Sequence, residues 1–198
     1  MPRAPAGTEI LAGWAASRGL AFRPSPEDGW FREWEPFDTM APPTLYLNAA
    51  TWQQSPGQLT IVEPWYADED GTPLERTIVA FAGHPGLRFK ASARAGEHFN
   101  TRVAFLESKP PPEVKIGDPL WDAHVTTLAW SSEEAAAAFH RRIRRLLAGW
   151  GFRGHLELRR GGLVCHYAGL FPSPQDYDRM LFIARDLVNT AIHYPPPS

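Results

Sequence analysis

The sequence predicts an α+β protein, an N-terminal helix plus an antiparallel sheet followed by a C-terminal β-α-β-β-α unit. Three observations predict it. Strand-like segments alternate apolar and polar residues with a period of two and turn at Asp70-Gly71 and Gly161-Gly162. Helix-like segments carry apolar residues at i, i+3, i+4 and i+7 behind good N-cap residues. The chain has twenty prolines, roughly twice average usage, and their clusters (Pro24/Pro26, Pro42/Pro43, Pro110–Pro112, Pro172/Pro174 and Pro195–Pro197) read as punctuation between these segments.

The first helix opens at Thr8, an N-cap residue, with Glu9 at the positive end of the dipole. Leu11, Trp14, Ala15 and Arg18 share a face, and Gly19-Leu20 has the pattern of a Schellman ending. Residues 23–43 read as an irregular loop that packs Trp30, Phe31, Trp34 and Phe37 back onto the body. A strand runs from Leu45 to about 52. Segments 58–67 and 72–82 form a hairpin on Asp70-Gly71, a two-residue type I′ signal. That register sets Val62 opposite Val79 and Trp65 opposite Arg76, with the guanidinium over the indole. Shorter strands near 87–91 and 99–106 extend the sheet.

The C-terminal unit starts with a strand over 124–130. One helix then runs from 131 to about 149, with Ser131 and Glu134 at capping-box spacing. Phe139, Ile143, Leu146, Leu147 and Trp150 line its apolar face, and Arg141, Arg144 and Arg145 fall opposite. A hairpin of strands 155–160 and 163–170 turns on Gly161-Gly162. This places Leu158 against Cys165, Leu156 against Tyr167, and Glu157 against His166 on the other face. The last helix, from 173 to about 192, buries Tyr177, Met180, Leu181, Ala184, Leu187, Val188 and Ala191 and leaves Phe182 on its polar side. The chain divides into a helix-plus-sheet half (1–108), a proline-rich linker (109–116) and the β-α-β-β-α half (117–198). The halves either stand apart or merge into one sheet with helices on one side.

Composition excludes more than it assigns. A net charge of −2 gives no global attraction to nucleic acid or anionic lipid. A single cysteine, Cys165, excludes an intrachain disulfide and a cysteine-rich zinc site. No apolar run approaches the ~20 residues of a membrane span, and the N-terminal residues have no signal-peptide core. A soluble, cytoplasmic protein is the expectation.

No motif carries catalysis. There is no Gly-x-Ser-x-Gly elbow, no phosphate-cradling Gly-x-x-x-x-Gly-Lys-Ser/Thr loop and no Gly-x-Gly-x-x-Gly turn. The seven histidines lack paired spacing on a helix. The best cluster, His155, Glu157 and His166, reads as a cross-strand polar pair on a partly wet face. Asp68-Glu69-Asp70-Gly71 lacks the closing glutamate of a calcium loop. The Arg141–Arg145 run reads as a solvated ridge, available to phosphates or to an acidic partner. Cys165 points into the core, away from His166.

The stretch Lys115-Ile116-Gly117-Asp118-Pro119-Leu120-Trp121-Asp122, running into a strand and an arginine-bearing helix, resembles uncharacterised bacterial α+β domain families. Their Gly-Asp-Pro-x-aromatic-Asp stretch precedes a strand, a helix, a hairpin and a final helix. The N-terminal Gly19-Leu20 ending also fits. Some relatives carry transmembrane helices upstream. The resemblance implies a bacterial accessory domain and brings no activity, cofactor or site residue with it.

The functional expectation is a non-catalytic protein-binding or adaptor module. No catalytic, cofactor or metal residue is assigned. The expected interface residues are Phe182, Arg141, Arg144, Arg145, Trp30 and Trp34, facing another protein or a second copy of the chain. The alternative is a small-ligand-binding protein or an enzyme without a recognised motif, with the aromatic loop 28–37 over a pocket. Elemental analysis of the purified protein is expected to show no stoichiometric zinc. Bound metal that disappears when His155 and His166 are both replaced would overturn this.

Overall fold

The structure, a computed structural model, describes residues 6–27, 45–65, 76–96 and 111–193. The chain order is α1 (Thr8–Ser17), β1 (Ala21–Arg23), β2 (Leu45–Gln54), β3 (Gly57–Trp65), β4 (Val79–Gly83), β5 (Ala91–Ala95) and β6 (Glu113–Val114). Then come α2 (Pro119–His124), β7 (Val125–Leu128), α3 (Ser132–Ala138), α4 (Arg141–Gly149), β8 (Gly154–Arg159), β9 (Gly162–Tyr167) and α5 (Pro174–Ile192). All the described strands join one nine-stranded sheet in the order β1-β2-β3-β4-β9-β8-β5-β7-β6. Every neighbouring pair is antiparallel. The fold class is α+β, and strands from both sides of the proline-rich segment interleave. Glu113 and Val114 of that segment pair with β7 instead of acting as a spacer.

The helices cover one face. Leu11, Trp14 and Ala15 of α1, Ile143 and Leu147 of α4, and Tyr177, Met180, Ile183, Ala184 and Leu187 of α5 form a single buried cluster. It includes Ile61, Ala80, Ala93, Leu156, Leu163 and Cys165 of the sheet. Ile183 belongs to this stripe in addition to the residues expected from the helical period. The opposite face is buried too, around Tyr46, Val62, Val79, Phe81 and Val164.

Local signals explain most element ends. Gly19 takes φ +67, and Leu20 N–H reaches back to Ala15 O at 2.9 Å, the six-to-one bond of the Schellman motif. Ser131 Oγ accepts from Glu134 N–H at 3.1 Å. The glutamate does not return the bond to its own helix; its Oε1 accepts from Lys90 N–H at 3.2 Å and ties α3 to the residues entering β5. Ser173 Oγ caps α5 through Asp176 N–H.

Several expectations need correction. Gly7, not Thr8, is the N-cap of α1, because the Thr8 hydroxyl is spent on Asn48 Oδ1 at 2.9 Å. The strand expected near 87–91 lies at Ala91–Ala95, while the Asp70-Gly71 turn and the 99–106 strand fall outside the described residues. Val62 does pair with Val79, but the Arg76 guanidinium lies on the Glu63 carboxylate and not on Trp65. The helix expected over 131–149 is two helices broken at Phe139-His140. The break lets Phe139 bury completely and stack on Trp121 at 5.5 Å. Arg144 Nη1 then donates to the Phe139 carbonyl at 2.7 Å, supplying the partner that the interrupted helix would have provided.

The C-terminal hairpin turns on Arg160-Gly161, with Arg159 opposite Gly162. Leu158 therefore faces Leu163, Leu156 faces Cys165 and His155 faces His166. This register differs by two residues from the expected one, and because side chains alternate with period two the faces are those expected. Where β8 begins, Gly154 takes φ +148, and a Cβ there would sit 2.1 Å from the His166 carbonyl oxygen. Gly154→Ala is expected to destabilise the protein by ~2–4 kcal/mol in denaturant unfolding. A variant with unchanged stability would show that β8 can start without this close approach.

Candidate functional site

The degenerate Gly-Asp-Pro-x-Trp-Asp stretch is a structural device. Asp118 caps α2 through Trp121 N–H, and Pro119 sits at the helix start, where no donor is needed. The Asp122 carboxylate accepts from Ile116 and Gly117 N–H at 3.1 and 3.0 Å, closing the preceding turn. Trp121 Nε1 donates to Thr127 Oγ1 at 2.9 Å. These bonds set α2 beside α4, where Asp118 Oδ2 meets Arg144 Nε at 2.8 Å.

Between α2, α4, the end of β5 and the residues leading into β8 lies a cleft of about 830 Å³. Trp121, Val125, Leu147 and Phe152 line its apolar side, Leu120 stands at 80% exposure, and Arg141, Arg144, Arg145, Arg153, His124 and Asp118 supply its polar lining. Arg141, Arg145 and Arg153 are exposed. Arg144 is half-buried and held by Asp118, so the expected ridge of three solvent-facing arginines is a ridge of two. Sequence reasoning found the arginines and missed their floor, because Arg153, Trp121 and Leu120 come from segments joined only by the fold.

Phe182 is 59% exposed, and its ring lies 6.5 Å from that of half-buried Trp150. Among the described residues, the expected interface set therefore divides between the cleft and this aromatic pair. Trp30 and Trp34 fall outside the described residues.

The His155, Glu157 and His166 cluster lies on the face opposite the described helices, but that face is not wet: all three are buried. His155 Nε2 and Glu157 Oε2 are 3.2 Å apart, and His166 Nε2 is 2.7 Å from Thr77 Oγ1. Arg94 and Ser92 lie across from His155 and Glu157 on β5. Burial pulls the Arg94 guanidinium below its ordinary value. Among the described residues, no three His, Cys, Asp or Glu groups are placed to hold a metal ion. Cys165 is buried among apolar neighbours, which pushes its thiol up to about 12 and leaves no thiolate to react.

A second buried polar group escapes the sequence patterns. Glu63, fully buried, accepts from Arg76 Nε and Nη2 and from Asn48 Nδ2. Its signal is a lone carboxylate within the apolar strand Leu59–Trp65, which needs a partner wherever it is buried.

The fold defines a class before any relative does: one wide antiparallel sheet with all its described helices on one face. No protein-family model and no curated protein matches the sequence. Among solved structures, the mycobacterial trehalose monomycolate transport factor A has this fold. It superposes with a TM-score of 0.63 over 98% of this chain and 100% of that one, at 14% identity. At that identity the likeness concerns the fold alone. No helix among the described residues is long and apolar enough to cross a membrane.

His166 makes the buried strip sensitive to acid. Burial foremost, and then the charge of neighbouring His155, lower it from 6.5 to about 3. The unfolded chain therefore binds the extra proton across that window, and the stability held above pH 6.5 is lost as pH falls toward 3. Unfolding free energy is expected to drop by up to about 1.4 kcal/mol per pH unit from this group. Urea unfolding at pH 7, 6 and 5 should show a steeper loss for the natural chain than for His166→Asn. Parallel curves would remove His166 as the source.

Proposed function

We propose that this chain is a non-catalytic adaptor of a bacterial cytoplasm that binds another protein through the aromatic pair Phe182 and Trp150. The observation that carries the reading is the exposure of Phe182 beside a second large ring. The buried stripe of α5 is complete without it. A phenyl group left in water forgoes apolar burial worth roughly 2 kcal/mol. Aromatic side chains that gain this burial only in a complex are the usual anchors of protein interfaces. The arginine-rimmed cleft supports a second reading, a small-ligand-binding protein, since its size and apolar lining suit a small molecule.

Phe182→Ser tests the first reading. The variant is expected to keep its melting temperature, as surface changes do, while losing association measured by sedimentation and by recovery of the partner from the source cytoplasm. A loss of ~3 kcal/mol or more with unchanged association would make the residue part of the core and end the adaptor reading.

A further inference from the structure

We infer that the cleft between α2 and α4 binds a small anionic amphiphile, a molecule with an oxyanion head on a short alkyl body. This rests on the small-ligand reading of the cleft and is independent of the Phe182 surface. Among the described residues, four arginines line the cleft against one carboxylate, Asp118, in a chain whose net charge is −2. That carboxylate already caps α2 and holds Arg144. Arg141, Arg145 and Arg153 have no ion-pair partner among the described residues. Arg141 and Arg145 stand four residues apart on α4 and so project from one side of the helix. Arg153 reaches in from the strand entry, its stem beside Gly96. Planar guanidinium groups converging on one concavity match the geometry of an oxyanion.

The apolar wall selects the body attached to that head. Leu120 is 80% exposed, and Trp121 and Phe152 are 6% and 9% exposed. The two rings expose too little surface for a base to stack on. Such a wall fits an alkyl body better than a nucleotide. A bare inorganic anion would leave Leu120 in water, and a neutral amphiphile would leave three guanidinium groups unused.

Isothermal titration of the full chain with four probes tests this: octyl phosphate, octyl glucoside, inorganic phosphate and a tetraglutamate peptide. Octyl phosphate is expected to bind one-to-one and roughly tenfold or more tighter than each of the others. Its affinity should fall roughly tenfold or more in the Arg141→Gln/Arg145→Gln/Arg153→Gln variant, and should fall also in Leu120→Ser. Both variants should keep their melting temperature, because the replaced side chains are exposed. Should the triple variant melt early, the natural chain still decides: binding must weaken as salt rises to about 0.5 M. Octyl glucoside or inorganic phosphate binding as tightly as octyl phosphate would overturn the ligand class and leave a small-ligand cleft. Tighter binding of tetraglutamate would assign the cleft to a protein partner instead. Binding of none of the four would remove the small-ligand reading itself.

Discussion

The buried carboxylate of Glu63 is the constraint on which the N-terminal half of the structure depends. It lies at the edge of the helix-covered face of β3, with no exposed surface. A charge in that position is tolerated only with partners that repay its dehydration. Arg76 supplies two of them and also donates from Nη1 to Ala6 O at 3.0 Å, just before α1. Asn48 supplies the third and is itself held from all sides. Its N–H bonds Pro24 O, its Oδ1 accepts from Thr8, and its carbonyl accepts from the Tyr177 hydroxyl of α5. To reach these positions Asn48 adopts φ 53 at the bulge that interrupts the β2–β3 register. Burial, and then the nearby Glu63 charge, hold the Tyr177 phenol well above its ordinary value, so it stays a donor. Removing one partner from such a buried pair typically costs ~3–5 kcal/mol.

The sheet is assembled out of sequence order, and that order places the cleft. β4 pairs with β9, and β5 lies between β8 and β7. The residues that end β5 and those that enter β8 are thereby brought side by side, although Ala95 and Arg153 are far apart along the chain. The cleft forms where this junction meets α2 and α4. Its cationic character depends on a local choice, since Asp118 neutralises Arg144 and, among the described residues, no other lining carboxylate answers the remaining arginines.

What could be read from the sequence was whatever depended on near neighbours. The Schellman ending at Gly19 and the cap at Ser131 were legible because each is made within six residues. The hairpin faces were legible because alternation fixes them. Its register was not, because a Gly-Gly pair permits more than one turn placement and only the ladder with β4 and β5 selects among them. The break at Phe139-His140 was hidden because both fragments keep the same apolar face. What splits them is Trp121, Arg144 and the Thr190 backbone beside His140, all distant in sequence or outside the helical period. Arg144 was misplaced for the same reason. Two of the three expected aromatic interface residues, Trp30 and Trp34, fall outside the described residues.

The sheet tapers at both ends. Among the described residues its outermost strands are β1, with three residues, and β6, with two. A strand pairing with either of these described edge strands would find only two or three residues of ladder. Strand addition at β1 or β6, whether with a partner peptide or with another copy, therefore gains little from main-chain pairing. On the proposed readings, recognition uses side chains on the helices and in the cleft, and discrimination among partners becomes a matter of shape and charge instead of backbone complementarity.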